Sequence, residues 1–256
     1  MLSDLAGKRV LVTGSSSGIG AGIAGKLAAA GARVAVHCHS NAERAEALVA
    51  DLNRGEQGGA VLVKGDLSRS AEAERVVDEA AGQLGGLDIL INNAGSLVRR
   101  VPLAEIDDAY FDDVLNLNVR SYVIASRVAA RYITAAGGGA IISTSSIAAR
   151  HGGSIGAGLY GSAKAFISNF TRNMARELAP HGIRVNAVSP GVIMTPFHEQ
   201  FSTAEFLDST RKTIPMQRLG TVEDCVGAYL FLASDNMSGY ITGQVIEVNG
   251  GQLMPS

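Results

Sequence analysis

The stretch YGSAK places Tyr160 and Lys164 four positions apart, with only small residues between them. On a helix, residues at this spacing lie on one face, one turn apart. An ammonium group beside a phenol favours the phenolate, and it therefore lowers the pKa of the tyrosine from its usual value of about 10. The pair could act as an acid–base catalyst, although an ordinary helix surface could carry the same spacing.

A glycine-rich turn, TGSSSGIG (13–20), follows the apolar run 8–13. Gly14, Gly18 and Gly20 would let the backbone approach a ligand closely. The N–H groups and the dipole at the start of the next helix favour an anion there. The spacing G-x-x-x-G-x-G is longer than the general dinucleotide fingerprint, but its position between a strand and a helix predicts a phosphate-binding loop.

The elements that must position these groups alternate along the chain. The predicted strands are 8–13, 33–38, 60–65, 87–92, 140–145, 183–189 and 244–249, and the predicted helices include 41–54, 70–85 and one or two within 105–136. Continuous apolar strands alternating with helices indicate a parallel sheet covered on both faces, which is the doubly wound α/β arrangement. We predict one domain over residues 1–256.

Residues 191–220 interrupt this alternation, because they contain no clear strand. A connection of this length within a compact domain is usually functional. We predict a substrate lid over about residues 191–220, and the alternative is a structural excursion packed on the surface.

The composition excludes several classes of function. Hydrophobic residues make up 46% of the chain and charged residues 18%, which is typical of a folded globular protein. The net charge of −2 predicts no general attraction to nucleic acid or to an anionic membrane. No apolar run approaches the length of a membrane span, and the N-terminal segment does not resemble a signal peptide.

The two cysteines, Cys38 and Cys225, are far apart in the sequence and form no CxxC motif. A reducing, cytoplasmic location is therefore expected. His37 and His39 flank Cys38, but on a strand Cys38 would point to the opposite face from both histidines. Because no second ligand cluster lies nearby, no metal site is predicted.

Further motifs occur in an order that resembles the short-chain dehydrogenase/reductase family over the whole chain. They are TGSSSGIG for TGxxxGxG, GDL (65–67), NNAG (92–95), Asn118 in LNLNV, TSSIAA (144–149), YGSAK for YxxxK, SPGVIMT (189–195) and YITGQVIEVNGG (240–251). The resemblance implies a Rossmann fold and an oxidoreductase that interconverts a carbonyl and an alcohol by hydride transfer from or to a nicotinamide cofactor.

The resemblance also implies roles for four residues. Tyr160 would transfer the proton to or from the substrate oxygen, and Lys164 would lower its pKa and bind the nicotinamide ribose. Ser146 would polarise the carbonyl, and Asn118 would help to hold a water chain from Lys164 to solvent. Ser146 precedes Tyr160 by 14 positions, one more than in many relatives, and Ser145 is the alternative.

The predicted cofactor-binding residues come from five of these motifs and from the end of the second strand. They are Gly14, Ser16, Ser17, Gly18, Ile19, Gly20, His39, Ser40, Asn41, Asp66, Leu67, Asn93, Ala94, Gly95, Tyr160, Lys164, Pro190, Gly191, Ile193 and Thr195.

The end of the second strand bears on the choice of cofactor. Family members that prefer NAD usually end this strand with an acid that binds the ribose hydroxyls. Here Cys38 occupies that position, and the first acidic residue after it is Glu43. The 2′-phosphate would meet no fixed negative charge, His39, Ser40 and Asn41 could donate hydrogen bonds to it, and Arg44 could reach it, so NADP(H) is predicted over NAD(H). Ser17 argues against the prediction of NADP(H), because many enzymes that use NADP carry arginine at this position of the glycine-rich loop.

The substrate is predicted to be a small-molecule carbonyl compound or alcohol. Similar groups are the 3-oxoacyl-carrier-protein reductases, which are favoured, and the glucose 1-dehydrogenases, which support a sugar or polyol alternative. The stretch 135–140 lacks the basic residues with which the first group often meets its carrier. Arg99 and Arg100 could meet an anionic substrate or could be solvated loop residues. A non-catalytic NADP-binding sensor or scaffold is the alternative of another class.

An apolar stripe follows the YGSAK motif at intervals of four residues, formed by Phe166, Phe170, Met174 and Leu178. Packing on the sheet explains it most simply. In the family, this helix and the one that carries Asn118 also form a dimer interface within tetramers. The resemblance implies a homo-oligomer, with a tetramer as the expected form.

Overall fold

The computed structural model describes residues 2–55 and 59–254 and contains a seven-stranded parallel sheet with the strand order β3-β2-β1-β4-β5-β6-β7. The strands are β1 (Arg9–Val12), β2 (Arg33–Cys38), β3 (Gly59–Lys64), β4 (Ile89–Asn92), β5 (Gly139–Thr144), β6 (Ile183–Pro190) and β7 (Val245–Val248). All seven coincide with predicted strands to within two residues at each end. Residues 1 and 256, the ends of the predicted domain, lie outside the described residues.

Helices connect the strands. They are α1 (Gly18–Ala29), α2 (Ala42–Leu52), α3 (Ser70–Leu84), α4 (Asp108–Leu115), α5 (Ser121–Ala135), α6 (Ala148–His151), α7 (Gly158–Leu178), α8 (Pro196–Phe201), α9 (Ala204–Thr213), α10 (Val222–Ala233) and α11 (Asp235–Ser238). Short 3₁₀ turns cover Ser3–Leu5, Leu103–Glu105 and Ala179–His181, and a π-helical segment, Asn116–Arg120, joins α4 to α5. Among the described residues, no helix combines the length and apolar character needed to cross a membrane.

Both faces of the sheet are covered, as the alternation of side chains along β1 shows. Val10 and Val12 belong to the core cluster that contains residues of α1 and α10, whereas Leu11 belongs to the cluster with residues of α3, α5 and α7. Successive strand residues point to opposite faces, so a strand buried on both sides must be apolar throughout. The predicted doubly wound α/β fold is confirmed.

The strand order reverses at β1, which pairs with β2 on one side and with β4 on the other. The chain therefore leaves the carboxyl ends of β1 and β4 in different directions, and a crevice opens between their loops. This crevice lies where the glycine-rich turn follows β1 and where the NNAG motif follows β4.

The predicted lid segment contains α8 and α9. Its two ends are hydrogen-bonded to each other, since Met194 N donates to the Gly220 carbonyl at 2.9 Å and Gly220 N donates to the Val192 carbonyl at 2.9 Å. Helices α8 and α9 thus belong to a surface segment whose two ends are joined by backbone hydrogen bonds. Movement of this segment over a ligand stays a prediction.

Candidate functional site

A cleft of about 770 Å³ lies at the carboxyl ends of the central strands. The loops after β1, β2, β4, β5 and β6 form its walls together with α7 and the segment 191–220. All predicted cofactor-binding residues except Gly20 line this cleft, and Ser146 does so as well. Asn118 does not line it. The roles of these residues toward a cofactor stay predictions.

The loop after β1 is shaped for close approach. Gly14 has a φ of +62°, and a Cβ there would lie 2.9 Å from the Cα of Ala94. A Cβ on Gly20 would lie 2.5 Å from the Gly14 carbonyl oxygen, so Gly20 lets α1 pack directly behind the loop. In the described part of the chain, the Ser17 side chain makes no capping hydrogen bond at the start of α1. The N–H groups of the first turn can therefore meet an anion, and the loop fits a bound phosphate.

His37 holds this loop in place, a role that the sequence analysis missed. The His37 Nδ1 accepts a hydrogen bond from Gly14 N at 3.0 Å, and its Nε2 lies 3.0 Å from the Gly65 carbonyl oxygen. Burial lowers the pKa of His37 to about 4, so the ring is neutral at neutral pH and its Nε2–H can donate to Gly65. A polar residue at the buried end of a strand, beside a glycine-rich loop, is the signal that could have revealed it.

Replacement of His37 by asparagine is expected to change how stability depends on pH. Because the folded-state pKa lies below the ordinary value of 6.5, the unfolded chain binds the proton more readily. The destabilisation by protonation is absent above pH 6.5 and grows to about 3 kcal/mol as the pH falls through the folded-state pKa. Urea unfolding of both proteins at about pH 7 and about pH 4 measures this difference.

The exposed His181 provides the matched control, because it has no part in the loop. His181→Asn should follow the wild-type pH dependence of the unfolding free energy, whereas His37→Asn should lose less stability in acid. An equal loss in the wild type and His37→Asn would show that His37 does not set this dependence.

Tyr160 and Lys164 both lie on α7 and face the cleft. Lys164 is buried, its Nζ donates to the Thr144 carbonyl oxygen at 2.8 Å, and it lies 5.6 Å from the centre of the Tyr160 ring. The small residue between them has a packing reason, because a Cβ on Gly161 would lie 2.7 Å from the Gly152 carbonyl oxygen. The loop after β5 thus packs closely against α7, next to the two candidate catalytic side chains.

The structure distinguishes the two neighbouring serines. The Ser145 side chain is buried and engaged, since its Oγ donates to the Lys164 carbonyl oxygen at 3.1 Å and lies 2.6 Å from Ser168 Oγ. Ser146 is less buried, and its Oγ accepts a hydrogen bond from Ala148 N at 3.1 Å. An accepting oxygen keeps its own proton for another partner, so Ser146 is better placed than Ser145 to donate into the cleft.

The expectation of a lowered pKa for Tyr160 is wrong for the protein without ligand. Burial raises the pKa of Tyr160 to about 12, and hydrogen bonding with Ser146 offsets only part of this. Burial also lowers the pKa of Lys164 to about 8. The Lys164 ammonium donates to the Thr144 carbonyl, and burial opposes the charged form of both groups. The phenol is therefore protonated at neutral pH, which suits a proton donor.

Asn118 lies behind the cleft in the π-helical segment between α4 and α5. Its Nδ2 donates to the carbonyl oxygens of Ser96 and Val114, both at 2.9 Å, and its Oδ1 accepts from Ser96 N at 3.2 Å. Single π-helical turns often occur at functional sites. Here the widened turn aims Asn118 at the loop after β4, and Asn118 fixes that loop rather than the cleft surface.

Asn93, in the same loop, also turns to the protein backbone. Its Nδ2 donates to the carbonyl oxygens of Thr13 and Gly14, at 3.0 and 3.1 Å. Thr144 Oγ1 lies 3.4 Å from Asn93 Oδ1 and 2.8 Å from the hydroxyl of Tyr229, which is fully buried. The loops after β1, β4 and β5 are thus tied together by hydrogen bonds, and Tyr229 is a member that the sequence analysis did not identify.

The end of β2 lies at the other end of the cleft from α8. Cys38 is buried, while His39, Ser40 and Asn41 line the cleft with exposed polar side chains. The nearest acidic residue along the chain, Glu43, is not among the lining residues. The strand end therefore presents hydrogen-bonding groups but no carboxylate.

Aromatic side chains from the segment 191–220 form the opposite wall. The ring of Phe197 lies 5.8 Å from that of Tyr160 and 5.0 Å from that of Phe201, measured between centroids. His198 and Phe206 line the same part of the cleft. This wall gives the region beside the Tyr160 phenol a largely apolar surface.

The two consecutive arginines, which the sequence analysis treated alike, have different surroundings. Arg99 points away from the cleft, where its guanidinium lies 3.4 Å from Asp107 and stacks 5.0 Å from the ring of Tyr110. Arg100 lines the cleft. Among the described residues, Arg99 therefore forms an exposed ion pair outside the cleft, and Arg100 lines the cleft without one.

Comparison with known proteins agrees with this geometry. A family model described as enoyl-(acyl carrier protein) reductase matches residues 14–252. A 3-oxoacyl-[acyl-carrier-protein] reductase of Staphylococcus aureus is 36% identical over 247 residues, which cover 96% of this chain and 98% of the relative.

Two groups of solved structures are similar over nearly the whole chain. The NADH-dependent reductase A1-R′ in complex with NAD is 41% identical, with a TM-score of 0.89 and complete coverage of both chains, and another structure describes that reductase as responsible for alginate metabolism. A short-chain dehydrogenase from Burkholderia cenocepacia in complex with NADP is 37% identical, with a TM-score of 0.88 and coverage of 97% of this chain and 98% of the other. The resemblance noted in the sequence is confirmed: the chain belongs to the short-chain dehydrogenase/reductase family of oxidoreductases.

Proposed function

We propose that the protein interconverts a ketone and a secondary alcohol with NADP(H), and that Tyr160 is the acid–base group. The observation that carries this proposal is the convergence of Ser146, Tyr160 and Lys164 on a cleft that also contains the phosphate-binding loop. The loop after β1, which fits an anion, lies at one part of the cleft. The protonated phenol of Tyr160 lies at another part, beside the apolar wall that contains Phe197. Such an arrangement suits hydride transfer next to a proton donor.

The bound nicotinamide would supply the hydride that forms the new C–H bond at the carbonyl carbon. In the same reduction, Tyr160 donates its proton to the carbonyl oxygen, which becomes the alcohol. Ser146 donates a hydrogen bond to that oxygen and stabilises its developing negative charge. The Lys164 ammonium stabilises the Tyr160 phenolate until a proton from solvent restores the phenol. We propose that Asn118 helps to hold the waters that deliver this proton, because it fixes the loop beside Lys164.

A panel of ketones, sugars and acyl thioesters tests this proposal by the consumption of NADPH. Turnover of at least one class, with formation of the matching alcohol, is expected. Binding of NADPH without turnover across the panel would favour a non-catalytic sensor. The sugar or polyol alternative has one observation in its favour, the similarity to a reductase of alginate metabolism, and preference for the sugar compounds would support it.

We infer the preference for NADP(H) from the end of β2. A 2′-phosphate placed there would meet His39, Ser40 and Asn41, and the chain carries no carboxylate between β2 and Glu43; the carboxylate of Asp66, after β3, is held by hydrogen bonds from Ser68. The similar structures contain NAD in one case and NADP in another, so they support a nicotinamide cofactor without favouring either form. A preference for NADH of about tenfold in kcat/KM for the wild type would contradict this inference.

Introduction of a carboxylate by His39→Asp is expected to lower kcat/KM for NADPH by about tenfold or more relative to the value for NADH. The reason is that the new negative charge would repel the 2′-phosphate and could accept hydrogen bonds from the ribose hydroxyls of NADH. Steady-state kinetics with both cofactors measure the ratio. His39→Asn, which removes the imidazole without adding charge, is the control, and an equal shift in both variants would count against the charge argument.

We also propose that the protein is a homo-oligomer, with a tetramer as the expected form. Phe166 is 39% exposed on α7 and stacks on Phe170 at 5.3 Å, whereas Met174 further along the same helix is buried. The stripe therefore packs on the sheet at one end and presents an aromatic surface at the other. Sedimentation analysis tests the oligomeric state, and a monomer at micromolar concentration would refute the proposal.

A reducing, cytoplasmic location is proposed because both cysteines are buried free thiols, and cell fractionation tests it.

A further inference from the structure

Arg100 joins three segments at the substrate end of the cleft. Its Nε donates to the Phe201 carbonyl oxygen in α8 at 2.9 Å, and its Nη1 donates to Ser154 Oγ at 2.7 Å and to the Ile155 carbonyl oxygen at 3.3 Å. These contacts hold the guanidinium between the loop after β4, the loop after α6 and the predicted lid. Arg100 is exposed, but these three hydrogen bonds fix the position of its charge within the fold.

Among the described residues, the charge of Arg100 meets the ring of Phe206, 5.8 Å from its centre, but no carboxylate. Within residues 2–55 and 59–254, no carboxylate forms a salt bridge with Arg100, and its Nη2 makes no hydrogen bond. The formally charged residues that line the cleft are Asp66, Arg100 and Lys164. Asp66 follows β3 at the far end, where its carboxylate accepts hydrogen bonds from Ser68. The substrate end thus carries positive charge and an unused pair of N–H donors.

We propose that Arg100 is a specificity-determining residue that binds a carboxylate group of the carbonyl substrate. This inference rests on the proposed ketone reduction at Tyr160 and names its substrate class, an oxo acid. A planar guanidinium matches a carboxylate in shape, and a hydrogen bond between two charged groups is stronger than one between neutral groups. His198 lines the cleft nearby, where the charge of Arg100 contributes, after burial, to lowering its pKa to about 4.

The aromatic wall indicates where the carboxylate lies relative to the carbonyl. The rings of Tyr160, Phe197 and Phe201 follow one another at centroid separations of 5.8 and 5.0 Å, and Arg100 is bound to the backbone of Phe201. Phe197 lies beside Tyr160, and Phe206 lines the cleft with its ring centre 5.8 Å from the Arg100 guanidinium, so a substrate that reaches from the Tyr160 hydroxyl to this guanidinium would pass apolar rings. Several carbon atoms would separate its two polar groups, and the rings would contact the intervening chain.

The test compares oxo acids with their methyl esters. The probes are 4-oxopentanoate, 5-oxohexanoate and 6-oxoheptanoate, each paired with its ester, and kcat/KM is measured for the wild type, Arg100→Gln, Arg100→Lys and Arg99→Gln. For at least one chain length, the wild type is expected to prefer the acid by about tenfold or more, mainly through KM. Arg100→Gln should reduce the acid-to-ester ratio to near one, Arg100→Lys should retain part of it, and Arg99→Gln should retain all of it.

Two results would overturn the inference while leaving the proposed function intact. Esters reduced as well as acids by the wild type would show that no carboxylate is recognised. A ratio that survives in Arg100→Gln, even if both rates fall, would show that Arg100 only ties the segments together. Absence of turnover with every acid and every ester, in the presence of bound NADPH, would count against the proposed ketone reduction itself and the inference with it.

Discussion

Tyr160→Phe is expected to lower kcat for carbonyl reduction by about a hundredfold or more. The change removes the hydroxyl that would donate the proton but keeps the ring that packs at 5.8 Å from Phe197. The affinity for NADPH should stay within about threefold of the wild-type value, because a lost neutral hydrogen bond costs little. Stopped-flow or steady-state kinetics measure kcat, and the fluorescence of bound NADPH measures the affinity for the cofactor.

Tyr132→Phe is the matched control for this experiment. Tyr132 lies on α5 outside the cleft lining, and its hydroxyl donates to Asp78 at 2.9 Å. That variant should keep wild-type turnover. Reduction by Tyr160→Phe at close to the wild-type rate would rule out the phenol as the proton donor, and equal losses of turnover and NADPH affinity would indicate a structural role instead.

Lys164→Met is expected to reduce kcat/KM by about a hundredfold or more and to weaken NADPH binding as well, unlike Tyr160→Phe. The ammonium would stabilise the Tyr160 phenolate and would bind the nicotinamide ribose, so both quantities depend on it. Methionine has a similar length and no charge. Measuring turnover and NADPH affinity for the two variants side by side separates the proposed roles.

The same Lys164→Met change should leave the ligand-free protein as stable as the wild type or make it more stable. Burial lowers the pKa of Lys164 from 10.5 to about 8, so the unfolded chain binds its proton more tightly. At neutral pH, below both values, the buried charge costs about 3 kcal/mol, and this cost disappears as the pH rises toward 10.5. The lost hydrogen bond to Thr144 offsets part of the gain.

Thermal unfolding of the ligand-free proteins checks this expectation, with Lys26→Met on the exposed side of α1 as the control. A large fall in melting temperature for Lys164→Met, absent from Lys26→Met, would mean that the ammonium stabilises the fold. Its loss of activity would then be explained by unfolding, and the proposed catalytic role would need other support.

The sequence by itself determined the family, the order of the strands and their bounds to within two residues. The run RVAVHC predicted β2 with the observed bounds, Arg33–Cys38, because its centre is continuously apolar, as is typical of a strand buried on both faces. The order of the glycine-rich loop, NNAG and YGSAK along the chain identified the family. These signals are local, since strand and helix periodicity and loop conformation depend on residues close together in the chain.

Only the tertiary structure decided which partners the side chains of several similar residues have. Ser145 and Ser146 are adjacent in sequence, yet one hydroxyl is bound to Ser168 and the other is not. Arg99 and Arg100 likewise differ only in their long-range partners, Asp107 and the carbonyl of Phe201.

Burial and long-range contacts also decided the charge states. The sequence placed an ammonium beside a phenol and predicted a lowered pKa for Tyr160, but burial raises that pKa to about 12. His37, considered only as a metal ligand, supports the phosphate-binding loop because Gly14 and Gly65 approach its two ring nitrogens. Solvent exclusion and hydrogen bonds between distant segments exist only after the chain has folded, and the spacing of residues along the sequence does not encode them directly.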